Sequence, residues 1–248
     1  MRNYYPLEGT SDIDINKNAN YNSVSGVSQA NILQKEKEEN AMSYALVVSL
    51  ENEVYIVSDS RSTIIGANGE KQSFCDNCQK IVIIPDTNIV VASTGLNIFD
   101  GDSLRDIVYS LQTKNQYEIF KKLFIKFKQY ELFEPYIPTF LFCATVKEHI
   151  GPIIYRTIYD NIGQTTYQKT ENNLSCYSSG TKYANSITEK INMEEIKNNP
   201  IEKISSLMKN VISIGNITDN SIGSPIQMVH ITPEKAEWVE GFKPDFVI

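Results

Sequence analysis

Ordered hydrophobic patterning begins abruptly at residue 43. From there "YALVVSL" and "EVYIVSD" are two aliphatic, β-branched and aromatic runs separated by "EN", the pattern of two strands joined by a tight hairpin. With the turn centred on Glu51 and Asn52, antiparallel partners carry numbers that sum to about 102 or 103. Ser43 then falls opposite Asp59 or Ser60. A second hairpin, "KIVIIP" and "NIVVAST", turns at Asp86 to Asn88, stops at Gly95 and sets Lys80 across from Ser93 or Thr94. Near-continuous apolar strands of this kind require cover on both faces of their sheet.

Helical spacing supplies that cover. "GDSLRDIVYSLQ" opens with an acid and a serine suited to N-capping, and "QYEIFKKLFIKFKQYELF" puts Ile119, Leu123, Phe124, Phe127 and Tyr130 on one stripe. Further strands are predicted in "TFLFCATV", "GPIIYRTIYD" and "TTYQKT", then helices in "GTKYANSITEKI" and "PIEKISSLMKNVISIGN". "PIQMVHIT" reads as the last strand. Runs of strands alternating with runs of helices point to an α+β fold, and a four-layer αββα sandwich satisfies this order. Residues 1–42 are rich in Asn, Ser and Asp and lack sustained periodicity. They are expected to form a polar extension or propeptide ahead of one domain over 43–248, because so little apolar surface cannot offset the entropy of ordering.

At 248 residues, 41% hydrophobic and 21% charged, the chain can bury one substantial core. Its net charge of -7 carries no basic stripe, which argues against nucleic acid as a partner. No apolar run reaches the roughly 18 residues of a membrane span, so no membrane partner is expected and a cytoplasmic location is the default. The thiols Cys75, Cys78, Cys143 and Cys176 include one Cys-x-x-Cys, "CDNC", which reads as a polar loop. Without a second such pair there is no call for a structural metal, and no cofactor motif is present. His149 sits in a "KEHIG" turn and His230 inside the final strand, which gives little support to a Ser-His-Asp triad.

Several pieces, in order, resemble the β-type subunits of the proteasome core particle and their bacterial proteasome-like relatives, N-terminal nucleophile hydrolases. "VYIVSDSRST" is similar to that family's strand ending in Asp-Ser-Arg, and "QKIVIIPDTNIVVASTG" to its Lys-bearing strand, turn and Gly-ended strand. "GPIIYRTIYDNIG" with "YSSGTKYANSITEKI", and later "TDNSIGSPIQMVHIT", are similar to its second hairpin, Ser-Gly turn, helix, Asp-containing loop and last core strand. The resemblance spans about residues 43 to 240. It implies Ser43 as nucleophile where the family has a threonine, Asp59 and Lys80 as the supporting acid and lysine, and Gly95 as oxyanion donor. It further implies Ser179 and Asp219 as the supporting serine and acid. A further family serine aligns with Ile222, next to Ser221, and the glycine that usually precedes the nucleophile is Met42 here. The segment between Asp59 and Lys80, which contains "CDNC", is longer than in the family.

A serine hydroxyl needs an adjacent base, and a freed α-amino group with a pKa of about 7.7 to 8.0 can serve, so no histidine is required. Removal of residues 1–42 would free that amine. Translation from Met42 followed by loss of the methionine would do the same. The resemblance therefore implies a hydrolase of peptide bonds with a peptide or protein substrate, assembled as a homo-oligomer that could close into a ring and work with an ATPase unfoldase. Two alternatives stay open: a non-catalytic structural subunit of the same fold, and a small-molecule amide hydrolase. Singly, Ser43 can be a strand-start residue, Asp59 a turn residue and Lys80 a solvated one.

Overall fold

The structure, a computed structural model, describes residues 43–65, 71–95, 98–99, 102–131, 140–159, 165–171, 174–179, 191–218 and 222–246. The expected N-terminal extension and the helix expected in "GTKYANSITEKI" lie outside the described residues. Strands run in the order β1 (Ala45–Ser49), β2 (Val54–Ser58), β3 (Ser62–Ile65), β4 (Lys71–Cys75), β5 (Ile81–Ile83), β6 (Val90–Thr94), β7 (Ile98–Phe99) and β8 (Asp102–Ser103). Helices α1 (Leu104–Ser110) and α2 (Gln116–Glu131) follow, then β9 (Phe140–Lys147), β10 (Gly151–Tyr159), β11 (Thr165–Glu171) and β12 (Ser175–Ser179). The chain continues with α3 (Met193–Asn198), α4 (Pro200–Thr218), β13 (Gln227–Ile231) and β14 (Ala236–Trp238).

Two five-stranded antiparallel sheets result, ordered β12-β1-β2-β13-β14 and β11-β10-β9-β6-β5. Both predicted registers hold: Ala45 pairs with Ser58, and Ile81 pairs with Ala92, with the Ser93 amide donating to the Lys80 carbonyl at 3.1 Å. Period-2 alternation sends each strand's side chains to two cores. Ala45, Val47, Val54, Ile56, Val90, Ala92, Phe142, Val229 and Ile231 meet between the sheets. On one outer face, Leu104, Ile119, Phe120, Leu123 and Phe124 from α1 and α2 pack on Val82, Val91, Leu141 and Cys143. On the other, Ile196, Ile204, Met208 and Val211 from α3 and α4 pack on Tyr44, Leu46, Val48 and Val57. Every residue of β1 and β2 is buried, and each fully buried aliphatic side chain contributes roughly 1.5–3 kcal/mol. The molecule is thus the expected αββα sandwich.

Three local readings need correction. The "CDNC" segment is not simply a polar loop, since Cys75 ends β4 and pairs with Ser62 in the β3–β4 hairpin. "PIQMVHIT" is not the last strand, because β14 adds an edge by pairing Val229 with Trp238. Phe120, outside the predicted stripe, is as buried as Ile119 because α2 meets both the sheet and the rings of Tyr155 and Tyr167. Among the described residues, no helix is long and apolar enough to cross a membrane.

Candidate active site

The hairpin register brings Ser43 and Asp59 to one end of the first sheet. The Tyr44 carbonyl accepts from the Asp59 amide at 3.2 Å, and the Tyr44 amide donates to Asp59 Oδ1 at 3.0 Å, so the strand β1 is tied to the carboxylate one residue beyond Ser43. Lys80 arrives from the other sheet, just ahead of β5. Its Nζ donates to Ser43 Oγ at 2.8 Å and to Asp59 Oδ1 at 2.8 Å, and a third donation goes to the Arg61 carbonyl. Asp59 and Lys80 are fully buried and Ser43 is 2% exposed. A buried lysine is tolerated because each of its three donors has an acceptor, one of them a carboxylate.

Asp59 is equally well supplied. Besides Lys80 and the Tyr44 amide, its Oδ2 accepts from the Arg61 amide at 3.1 Å and the Gly223 amide at 3.2 Å. The loop leading into β13 is strapped to the same place: Ser60 donates its amide to the Gly223 carbonyl at 3.2 Å and its hydroxyl to the Pro225 carbonyl at 2.5 Å. The geometry at Gly223 calls for glycine, since an added Cβ would sit 2.4 Å from Arg61 Nε and 2.9 Å from Arg61 Cβ. Arg61 in turn forms a bidentate pair with Asp76, 2.7 Å from Nε to Oδ1 and 3.0 Å from NH2 to Oδ2, which holds the guanidinium above its ordinary range.

Gln227 is the residue that sequence reasoning missed. Fully buried on the inner face of β13, in register with Val229 and Ile231, it accepts from the Lys80 amide at 3.1 Å. Its Nε2 donates to the carbonyls of Asp59 at 3.2 Å and Cys78 at 2.8 Å. One amide therefore fixes the backbones that carry both charged residues, across the gap between the sheets. The signal was present in "PIQMVHIT": a polar residue at an inward position of an otherwise apolar strand has to have partners.

The remaining expected residues are placed less fully. Gly95 follows β6 at φ 91°, a left-handed conformation that favours glycine, two residues beyond Ser93, which faces Lys80. Ser179 ends β12 opposite Ala45, so its backbone lies at the same end of the first sheet. Asp219 lies outside the described residues. Ile222 is buried in the core below α4, where Gly215 leaves room for it. The two histidines are elsewhere: His149 is exposed, and His230 stacks on Tyr55 with its Nε2 2.6 Å from Glu53 Oε2. Among the described residues, no group of histidine, cysteine and acidic side chains is arranged to hold a metal ion.

A hydroxyl, an ammonium and a carboxylate in contact inside the protein can lower the energy of a serine alkoxide. With Ser43 Oγ, Asp59 Oδ1 and the Arg61 carbonyl around its Nζ, Lys80 is placed to stabilise negative charge developing at Ser43.

No protein-family model matches the sequence, and no curated protein matches it. Solved structures do. Anbu, described as an ancestral beta-subunit, from Yersinia bercovieri superposes with a TM-score of 0.54 at 14% identity, over 80% of this chain and 88% of that one. An Anbu (Gly-1) mutant from Hyphomicrobium sp. strain MC1 gives 0.52 at 14% identity, over 80% and 85%. At this identity the likeness establishes architecture: two antiparallel five-stranded sheets between helices, a proteasome-like fold.

Proposed function

We propose that this protein is an N-terminal nucleophile hydrolase that cleaves peptide bonds, with the Ser43 hydroxyl as nucleophile and its own α-amine, freed by removal of residues 1–42, as base. The observation that carries this reading is the buried Lys80 ammonium shared between Ser43 Oγ and Asp59 Oδ1 at 2.8 Å each. Lys80 stabilises the developing alkoxide, Asp59 holds Lys80, and the α-amine takes the hydroxyl proton as Oγ attacks the carbonyl carbon. The Gly95 amide donates to the oxyanion, and Ser179 and Asp219 support the amine. The protonated amine then gives its proton to the leaving nitrogen. Water, activated by the same amine, hydrolyses the ester and restores Ser43. The description of one similar structure as a beta-subunit supports an assembly of several copies, which would take a peptide or protein substrate and an ATPase partner.

A second reading is a structural subunit without activity. Ile222 favours it, being buried and apolar where the family resemblance expects a serine. Intact mass and N-terminal sequencing decide between them, applied to the full chain, its Ser43→Ala variant and a chain started at Met42, each assayed on fluorogenic peptides. A Ser43 N-terminus with hydrolysis, both lost in Ser43→Ala, is the expected result. Inactivity of a chain that does begin at Ser43 would overturn the hydrolase reading.

A further inference from the structure

The Cys75–Cys78 segment takes no part in the chemistry above, yet it forms part of the frame around it. Cys75 closes β4, and Lys80 follows two residues after Cys78. The Cys78 amide donates to the Ser60 carbonyl at 2.9 Å, and its carbonyl accepts from Gln227 Nε2 at 2.8 Å. Asp76, between the thiols, is the partner of Arg61, whose carbonyl accepts from Lys80. Whatever moves this turn therefore moves the backbone under Lys80.

The two thiols are placed to react with each other. Asn77 at φ 65° folds the chain back, and Cys78 Sγ lies 3.5 Å from the Cys75 carbonyl oxygen. Both cysteines are half-buried and unbridged, and the Cys75 thiol points to the Asp76 carbonyl at 3.5 Å. The other thiols differ: Cys143 is fully buried inside α2 and the second sheet, and loss of solvent pushes Cys176 up to about 12.

We propose that Cys75 and Cys78 are a reversible dithiol–disulfide pair, closed by exchange with a small-molecule disulfide, and that closure loosens the backbone anchor of Lys80 and so down-regulates the Ser43 site. One thiolate attacks a sulfur of the oxidant and releases a thiolate. The second cysteine then attacks the mixed disulfide and releases the other half. Two thiol protons are lost, one sulfur–sulfur bond forms, and the two electrons reduce the oxidant to two thiols. The neighbouring Cys78 side chain, together with partial burial, holds the Cys75 thiol above its ordinary range. The regulatory consequence rests on the proposed hydrolase; the thiol chemistry and the loosening do not.

The test uses the full chain equilibrated with glutathione disulfide and with reduced glutathione, analysed by alkylation and peptide mass, by amide hydrogen exchange and by peptide hydrolysis. Expected is a Cys75–Cys78 disulfide, reversed by reduced glutathione, with exchange at the Cys78 and Lys80 amides faster by roughly tenfold. Hydrolysis should fall on the order of tenfold. The Cys75→Ser/Cys78→Ser variant should hydrolyse at the reduced rate whatever the glutathione ratio. Persistent alkylation of both thiols under excess glutathione disulfide overturns the proposal, as does a disulfide that leaves both amides unchanged. Absence of hydrolysis in every state would instead count against the hydrolase reading, since mass and exchange do not depend on it.

Discussion

Replacing Lys80 by methionine tests the centre of the site most directly. Methionine keeps an unbranched apolar stem in a position with no exposure, so packing changes little. What is lost is the ammonium and its three donations, to Ser43 Oγ, Asp59 Oδ1 and the Arg61 carbonyl. Asp59 is left as a buried carboxylate facing only the amides of Tyr44, Arg61 and Gly223. Leaving a buried charge unpaired costs about 3–5 kcal/mol, and the three amides keep this case near 3–4. Asp59→Asn should cost a similar ~3–4 kcal/mol, because the new amide nitrogen would point a donor at the backbone donors or at Lys80. Once one charge is gone the second removal adds little, so the double variant should lose about 4 kcal/mol rather than the roughly 7 of independent sites. Urea unfolding followed by circular dichroism and by the single tryptophan, Trp238, measures all three. Additive losses would refute the reasoning, since they would mean that the two charges do not interact in the folded protein.

Three further outcomes follow from other residues. Gln227→Leu orphans the Lys80 amide and the Cys78 carbonyl, leaves the Asp59 carbonyl to the Ser58 hydroxyl, and should cost about 1–3 kcal/mol in urea unfolding, with kcat falling more than KM changes. Gly223→Ala brings a methyl to 2.4 Å from Arg61 Nε, so it should break the Arg61–Asp76 pair and slow peptide hydrolysis about tenfold or more, while Gly241→Ala, with open space around it but φ 79°, should affect stability alone. Ser103 caps α1 and its hydroxyl and amide hold the Asp106 carboxyl below its ordinary range. A depressed folded value stabilises above the unfolded pKa and is lost as pH falls through the folded one. Ser103→Ala should therefore lower Tm near neutral pH in thermal melts. The difference from wild type should narrow below about pH 4.

Much of the fold was legible because it rests on local rules. Apolar runs on either side of a two-residue turn fix which face each residue takes, and that parity alone set Ala45 against Ser58 and Lys80 against Ser93. Phe120, β14 and the β3–β4 hairpin were less legible, since a short or polar strand is stabilised by its neighbour rather than by its own pattern.

The sequence by itself determined that Ser43 and Asp59 share one end of a hairpin, because strand periodicity and turn position are properties of adjacent residues. It also determined the αββα order, since each run's hydrophobic period dictates the kind of surface it must bury. Only the tertiary structure decided that Lys80 reaches across from the second sheet, that its charge is buried and fully partnered, and that Gln227 fixes both backbones. Those facts depend on how two sheets approach each other, and a buried lysine and a solvated one are spelled alike in the chain. Contacts between residues as far apart as Asp59 and Gly223 arise from packing, and their energy appears only when water has been excluded from between them.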